Sequence, residues 1–321
     1  MHRNPVSEKS LTDEEIVLEG LRQPNKYISS RFLYDTEGSR LFQKIMKMPE
    51  YYLYEAEYEI LKEKGGEIWK ELPFKRPYCV VELGAGDGSK TIQLLHHMRS
   101  DPYFEKYCPV DISPHANLDL VKRLNASLPD LVVEPVNGNY NEELENLLPP
   151  DQPVLLLFLG SNIGNFRSEQ MEWLMKNFGE SMKKDDAILV GMDLKKHPRL
   201  IQNAYDDRAG ITRDFNLNLL RRFNREMGAN FELDRFDFYS HYDPLSGEVR
   251  SYLVSCIRQK VFFSDLEVTI HFEKNELIHT EVSRKFDWDE INRIFSRSGF
   301  RDLKFWQDPN EYFVDVLAVR S

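Results

Sequence analysis

Cysteine is scarce in this chain, which has three among its 321 residues, at positions 79, 108 and 256. Zinc sites and disulfide frameworks need clustered cysteines, whereas these three are widely spaced and odd in number. Two of them lie in apolar stretches typical of strands, so we predict buried, reduced thiols. The histidines form no HExxH motif and no close pair with acidic neighbours, except His96-His97 on a predicted helix face. We therefore predict no metal site.

Long apolar runs and basic runs are missing too. The longest strongly apolar run, Val154 to Leu159, is far too short to span a bilayer. The N-terminal stretch MHRNPVSEKSLTDEE has no apolar core and no small-residue cleavage signal. The formal net charge of -11, without a local basic patch, repels phosphate groups. We predict a cytoplasmic monomer whose partner is a small molecule, and neither nucleic acid nor a membrane.

Residues 78 to 193 show a regular alternation of apolar runs and helical patterns. Strands separated by helical crossovers predict a doubly wound parallel sheet. The run from Val154 to Leu159 is apolar throughout, which is typical of a strand covered on both faces. The predicted strands are Cys79–Leu83, Tyr107–Ile112, Leu131–Val136, Val154–Leu159 and Ala187–Met192, and the predicted helices are 89–98, one opening at Pro114, and 168–182.

After residue 193 this alternation stops. The predicted elements that follow are a helical stretch at 198–228, strands at 231–242, 249–258, 266–272 and 276–284, a helix at 287–298, and strands at 301–306 and 312–319. A final helix followed by two strands would complete a seven-stranded, Rossmann-like α/β sheet with an antiparallel edge. We therefore predict that an α+β substrate-binding domain is inserted into the sheet domain. The predicted boundaries are 61–196 and 287–321 for the sheet domain, and 1–60 and 197–286 for the inserted one.

A glycine-rich turn, Val81–Thr91, leaves the first predicted strand and enters a helix. Glycines let the backbone approach a ligand closely, and the helix N-terminus supplies free N–H donors. Dinucleotide sites use G-x-G-x-x-G. Here Gly88 comes one residue early, and an acid, Glu82, precedes Gly84. Taken alone, the turn leaves three alternatives open: a sulfonium nucleoside cofactor, a dinucleotide, or a purely structural turn.

This variant of the turn resembles motif I of the class I methyltransferases, whose cofactor is S-adenosylmethionine (SAM). An acidic residue at the end of the second strand suits ribose hydroxyls, as it does in dinucleotide sites, and Asp111 follows the turn by about 25 residues. Together with Glu82 and the closing pair of strands, Asp111 favours the methyltransferase alternative.

Longer stretches resemble one family, the histidine-specific Nα-methyltransferases of the ergothioneine pathway. The resemblance covers nearly the whole chain from residue 28. The stretches that carry it are Tyr34-Asp35-Thr36-Glu37-Gly38-Ser39 with Leu41-Phe42; Pro49-Glu50-Tyr51-Tyr52 with Glu59-Ile60-Leu61; Gly160-Ser161-Asn162-Ile163-Gly164-Asn165-Phe166; Ala204-Tyr205-Asp206-Asp207 with Gly210, Phe215-Asn216 and Asn218-Leu219-Leu220; and Thr280-Glu281-Val282-Ser283-Arg284-Lys285-Phe286.

The resemblance implies a role for individual residues. Glu281 and Ser283 match the pair that hydrogen-bonds the imidazole of the substrate, and strand alternation puts both on one face. Asn165 and Tyr205 match residues that hold the substrate carboxylate. The surroundings of the substrate amine and ring are matched by Tyr34, Tyr51 and Gly160, with Phe215 as a wall. The expected cofactor-binding residues are Gly84, Gly86, Lys90, Asp111, Asn139 and Tyr140.

Each of these assignments has a plainer alternative. Glu281 and Ser283 are equally typical of an exposed strand face. Asn165 suits a turn that needs left-handed geometry. Tyr51 and Tyr52 could be core aromatics.

Three departures from the family pattern bear on specificity. Leu53-Tyr54-Glu55 replaces the usual Pro-Thr-Arg, and Asn139 replaces an aspartate beside the adenine. Ser251 stands where a methionine shapes the ring pocket of the family. The third departure puts the preference for histidine in question, because a wider pocket would accept another side chain.

The reaction implied is SAM-dependent methylation of the α-amino group of L-histidine, giving the trimethylated betaine. Tyr34 and Tyr51 are expected to orient the amine rather than to deprotonate it. One alternative keeps the fold and cofactor but changes the amino acid or amine. A second is a non-catalytic cofactor-binding protein or scaffold, and a third, disfavoured by the early Gly88, is a dinucleotide oxidoreductase.

Overall fold

The computed structural model describes residues 11–111, 114–138, 144, 146–149 and 151–321. It divides the chain into two compact units. The first unit runs up to Tyr52 and from Lys196 to Arg284, and the second from Leu53 to Lys195 and from Lys285 to Ser321.

The second unit is built on a seven-stranded sheet with the strand order β12-β13-β6-β5-β2-β3-β4. Strand β13 is antiparallel to both of its neighbours, and the other pairs are parallel. The prediction of a seven-stranded α/β sheet with an antiparallel strand near one edge is confirmed. The strands are β2 (Tyr78–Leu83), β3 (Phe104–Asp111), β4 (Val136–Asn137), β5 (Val154–Phe158), β6 (Ala187–Asp193), β12 (Phe300–Gln307) and β13 (Phe313–Arg320).

Helices cover both faces of this sheet. Strand β2 is buried along its whole length, with Val81 in the core on one face and Val80 in the core on the other. The all-apolar central strands therefore need no exposed face. The helices of the unit are α3 (Tyr52–Lys70, whose first residue belongs to the first unit), α4 (Thr91–Met98), α5 (Pro114–Ser127), α6 (Ser168–Ser181) and α9 (Trp288–Arg297).

The first unit contains a four-stranded sheet in the order β1-β11-β8-β7 and a two-stranded ribbon, β9 with β10. Strand β1 runs parallel to β11, and the other pairs are antiparallel. The elements are β1 (Lys26–Tyr27), β7 (Phe236–Asp243), β8 (Glu248–Ser255), β9 (Gln259–Phe263), β10 (Val268–Phe272), β11 (Leu277–Arg284), α1 (Asp13–Leu21), α2 (Thr36–Ile45), α7 (Pro198–Tyr205) and α8 (Ile211–Glu226).

Two predicted elements were wrong in extent, and one strand was missed. The strand expected at 131–136 is reduced to β4, because Pro135 lacks an N–H for the ladder, and Val133 makes only an isolated bridge to Tyr107. The helix expected at 198–228 is broken between α7 and α8. Gly210 adopts φ +71° there, and the Asp207 carboxylate accepts the backbone N–H groups of the two residues that open α8. Strand β9 was not predicted.

The three cysteines are unpaired thiols. Burial raises the pKa of Cys79 to about 12 and that of Cys108 to about 11, which keeps both thiols protonated and unreactive. Among the described residues, no cluster of three or more His, Cys, Asp or Glu has the arrangement of a metal site. In the same part of the chain, no helix has the length and apolar character needed to cross a bilayer.

A buried ion pair stabilises the point where the chain re-enters the second unit. Lys285 Nζ lies 2.9 Å from Asp193 Oδ2, and both side chains have 0% exposure. The next residue, Phe286, forms a parallel bridge with Leu194.

We expect Lys285→Met to lower the free energy of unfolding by about 3–5 kcal/mol, because it removes the buried ammonium that neutralises the Asp193 carboxylate. Lys176→Met is the matched control, since the Lys176–Glu180 pair is solvent-exposed. That control should cost under about 0.5 kcal/mol. Urea unfolding followed by circular dichroism measures both variants, and equal losses would contradict the assigned role of the buried pair.

Candidate active site

The glycine-rich turn lies between β2 and α4, at the carboxyl edge of the sheet. Gly84, Gly86 and Gly88 all have positive φ, at 71°, 57° and 69°. A β-carbon on Gly88 would lie 2.1 Å from Leu120 Cδ1, so glycine is needed there for packing. A β-carbon on Gly86 would meet no atom within 4 Å, so the turn leaves open space at this position. Such a turn lets a ligand approach the backbone closely, as a nucleoside cofactor requires.

Asp111 is the last residue of β3, the strand beside β2. The Gly84 N–H donates to the Val110 carbonyl oxygen at 3.0 Å, so the turn and the end of β3 are adjacent. This is the position that an acid needs to reach the ribose of a nucleoside held by the turn. Asn139 and Tyr140, also predicted to bind the cofactor, lie outside the described residues.

Lys90, predicted to line the cofactor site, caps α4 and forms an ion pair with Glu57 on α3. The Gly160 N–H donates to the same Glu57 carboxylate, 2.7 Å from Oε1 and 2.9 Å from Oε2. Lys90 Nζ also lies 3.3 Å from where a β-carbon on Gly160 would be. The structure thus brings Lys90 and Gly160 together through Glu57, a residue that sequence reasoning did not single out.

Asn165 ends a short 3-10 turn, Asn162–Asn165, that follows β5. Ser161, just before the turn, has a left-handed φ of 54°, which is the geometry that the alternative explanation had given to Asn165. The Asn162 amide reaches both glycine loops: its Nδ2 lies 3.4 Å from a β-carbon placed on Gly84, and its Oδ1 lies 3.6 Å from one placed on Gly160. Asn162 was quoted in the family stretch but was not assigned a role.

Tyr54, which replaces the threonine of the usual Pro-Thr-Arg, makes a further contact with the glycine-rich turn. Its hydroxyl donates to Ser89 Oγ at 2.8 Å, within the glycine-rich turn. Burial is the largest influence on Tyr54 and raises its pKa above the ordinary value. The replacement of the usual threonine therefore supports the turn through a longer side chain.

In the first unit, the predicted aromatic residues form one connected cluster. Ring centroids lie 5.6 Å apart for Tyr34 and Phe215, and 6.1 Å apart for Tyr51 and Tyr205. Phe42 joins the cluster, with centroids 5.5 Å from Tyr34, 5.9 Å from Phe215 and 6.2 Å from Tyr51. Phe215 is buried, whereas Tyr34 is 42% exposed. Phe42 was missed as a site residue, although it belongs to a quoted family stretch.

A β-bulge decides which face of β11 carries Glu281 and Ser283. Ile278 pairs with Leu253 and Glu281 with Ser251, so one extra residue is accommodated on β11 between His279 and Glu281. Cross-strand partners share a face. The bulge therefore places Glu281 and Ser283 on the same face as the buried Ile278, where strict alternation from that residue would have turned them away.

Ser283 is buried, and its Oγ lies 2.8 Å from the Tyr205 hydroxyl oxygen. Glu281 is half-buried. The alternative of an exposed strand face is therefore wrong for Ser283. Through Tyr205, this polar pair is connected to the aromatic cluster.

Small hydroxyl residues line the same face beside Glu281. Ser251 is its direct cross-strand partner, and Ser240 is the partner of Ser251 on β7. Both serines are buried, and Gln202 Nε2 donates to Ser240 Oγ at 2.8 Å. Ser251, the replacement for the family methionine, thus lies next to the carboxylate expected to bind the substrate ring.

The chain is similar to known proteins over almost its whole length. The model of a family described as histidine-specific, SAM-dependent methyltransferases matches residues 12–320. The chain belongs to this family. Among its relatives, the histidine N-alpha-methyltransferase of Mycolicibacterium smegmatis is 31% identical over 301 residues, covering 94% of this chain and 92% of that protein.

Two further relatives carry names that give different substrates. The histidine N-alpha-methyltransferase of Mycobacterium tuberculosis is 30% identical over 304 residues, covering 95% of this chain and 94% of that protein. An L-tryptophan methyltransferase of Psilocybe serbica is 28% identical over 334 residues, covering 95% and 92%. This histidine-specific methyltransferase family member is a SAM-dependent amino-acid N-methyltransferase with a Rossmann-like class I fold.

Glu82, the acid before the glycines in this methyltransferase, is buried. Its carboxyl group accepts hydrogen bonds from Thr91 Oγ1, at 2.7 Å, and from the Tyr107 hydroxyl. Burial raises the pKa of Glu82 to about 7, outweighing the two hydrogen bonds, which lower it. Its folded-state pKa thus lies above the ordinary value of 4.5.

Because burial favours the protonated form, the stability contributed by neutral Glu82 is complete below the unfolded pKa and is lost as the pH rises through about 7. Compared with Glu82→Gln, the wild-type Tm should therefore fall from about pH 5 to about pH 8. Glu55→Gln, at an exposed position, is the control and should track the wild type. Calorimetric melting across this range measures the effect, and parallel curves for wild type and Glu82→Gln would refute it.

Proposed function

We propose that this enzyme transfers the methyl group of SAM to the α-amino group of L-histidine, and that successive transfers give the trimethylated betaine. The observation that carries the proposal is the grouping of Glu281, Ser283 and Tyr205 beside the aromatic cluster. A carboxylate and a hydroxyl together suit a ring that both donates and accepts hydrogen bonds, as imidazole does. The names of the histidine N-alpha-methyltransferase relatives support the same substrate.

We assign the cofactor to the second unit and most substrate contacts to the first. The cofactor residues are Gly84, Gly86, Lys90 and Asp111, with Asn139 and Tyr140 retained from the family resemblance. In the first unit, Glu281 and Ser283 bind the imidazole, Tyr205 binds the carboxylate, and Phe215 forms a wall. Asn165 and Gly160 are assigned to substrate binding from the family resemblance. The small-molecule substrate fits a monomeric, cytoplasmic enzyme without a nucleic-acid or membrane partner.

The chemistry requires a neutral amine aligned with an electrophilic carbon. Bound SAM supplies that carbon as a methyl group on a sulfonium. Tyr34 and Tyr51 orient the substrate nitrogen through their hydroxyls. The positive charge of the cofactor sulfonium and removal from water both lower the pKa of the substrate ammonium. The proton leaves to water. Most of the acceleration comes from holding the reacting atoms in line.

A second candidate function keeps the cofactor and changes the amino acid. Two observations favour it: the small Ser251 opposite Glu281, and the tryptophan methyltransferase among the relatives. A serine in place of a methionine leaves room for a larger ring on this face of the sheet.

Incubation with isotopically labelled SAM and the common amino acids distinguishes the two candidates. We expect histidine to be the preferred acceptor, with products of one, two and three added methyl groups appearing in succession. Mass analysis and initial rates measure this outcome. A higher kcat/KM with tryptophan or another amino acid would replace the first candidate by the second, and no acceptor at all would contradict both.

We expect Glu281→Ala to raise the KM for histidine at least about tenfold, equivalent to ~1.4 kcal/mol, because the ring loses its carboxylate partner. The Kd of SAM should stay unchanged. His279→Ala is the matched control, since His279 pairs with Tyr252 on the opposite face of the same sheet. Steady-state kinetics and calorimetry provide the two values, and an unaltered KM would remove Glu281 from the site.

A further inference from the structure

Glu57 is a charged residue with no contact to water. Its side chain on α3 has 0% exposure, yet it forms an ion pair with Lys90 and accepts the Gly160 N–H with both carboxylate oxygens. Burying a carboxylate is costly unless its hydrogen bonds and its counter-ion are both provided. Here both are provided, and they come from the two loops that follow β2 and β5.

Two glycines make room for this arrangement. A β-carbon on Gly191 of β6 would lie 1.9 Å from Glu57 Oε1, so only glycine lets the carboxylate rest against the sheet. Gly160 has φ +77°, and a β-carbon there would approach Lys90 Nζ to 3.3 Å. The backbone of the sheet is therefore shaped around the Glu57–Lys90 pair.

Three carboxyl groups act electrostatically on Lys90: Glu57, Glu82 and Asp315. Glu82 is bound by Thr91 and Tyr107. Asp315 is buried directly across from Gly191, and neither of its carboxyl oxygens has a hydrogen-bond partner among the residues that the structure describes. Burial first, and then the Glu57 charge, raises the pKa of Asp315 and favours its neutral form. Glu57 is the carboxylate that pairs with Lys90.

We propose that Glu57 is a positioning residue for cofactor binding, which fixes the Lys90 ammonium and the Gly160 loop at the carboxyl edge of the sheet. An ammonium has three N–H donors. One donor is engaged by Glu57, and the other two can serve a ligand carboxylate such as that of the cofactor. This inference rests on the proposed assignment of Lys90 to the cofactor site.

The test is a double-mutant cycle of Glu57→Gln and Lys90→Met, with S-adenosylhomocysteine as the calorimetric ligand. The glutamine keeps an acceptor for the Gly160 N–H but removes the charge. Each single variant should raise the Kd at least tenfold. Because Glu57 acts through Lys90, the double variant should lose no more than Lys90→Met alone. Glu59→Gln, an exposed residue on the same helix, is the control and should leave the Kd unchanged.

A second readout is the pH dependence of the Kd. Burial lowers the pKa of Lys90, and the Glu57 carboxylate reverses this effect and raises it above the ordinary value. Without that carboxylate, burial dominates and the ammonium is lost at lower pH. From about pH 7 to about pH 9, the Kd ratio of Glu57→Gln to wild type should therefore increase. A merely structural role would lower the Tm without changing this ratio.

The outcomes separate the two assignments. If Lys90→Met leaves the Kd unchanged, Lys90 is not in the cofactor site and the proposed assignment fails. If Lys90→Met weakens binding but Glu57→Gln does not, or if the two losses add, the positioning role alone is overturned. Should Glu57→Gln fail to fold, Gly191→Ala displaces the unchanged carboxylate and should raise the Kd in the same way; an unaltered Kd would also overturn the inference.

Discussion

The burial of the parallel sheet on both faces constrains everything else in the second unit. Its central strands are covered by helices on each side, so polar side chains on their two faces would have no access to solvent or to a ligand. Polar residues that can bind a ligand therefore lie where the strands end, at the carboxyl edge of the sheet. The glycine-rich turn after β2, Asp111 at the end of β3 and the Gly160 loop after β5 all lie there. Among the described residues, Gly84, Gly86 and Asp111 share this edge because the buried faces of the sheet leave no room for polar ligand-binding groups.

Charge inside the second unit follows from the same constraint. Glu57 is fully buried and Lys90 is half-buried, and each is stabilised by the charge of the other. Asp315 and Glu82 differ from Glu57, because burial raises the pKa of both carboxyl groups and favours their neutral forms. Burial thus weakens the charges that would compete with Glu57 for Lys90.

In the first unit, one extra residue in β11 determines which side chains face the proposed substrate site. The bulge between His279 and Glu281 turns the polar side chains of this strand toward the buried face. Buried Thr280 Oγ1 donates to Asn216 Oδ1 at 2.6 Å, on the helix that also carries Phe215. Substrate recognition in the proposed function therefore depends on strand register as much as on residue identity. Ser251 shows how a change opposite Glu281 bears on specificity without altering that register.

The sequence alone determined the sheet, because strongly apolar runs alternating with helices have few ways to bury both faces. It also determined the positions of the glycines and of Asp111 along the chain, since spacing in a turn is local. Only the tertiary structure decided the rest. The break at Gly210, the bulge in β11 and the short β4 depend on capping and ladder contacts that periodicity does not reveal. Glu57 and Asp315 are separated by more than half of the chain, and nothing in the sequence distinguishes them from exposed acidic residues. The fold buries both of them, and their charge state depends on that burial.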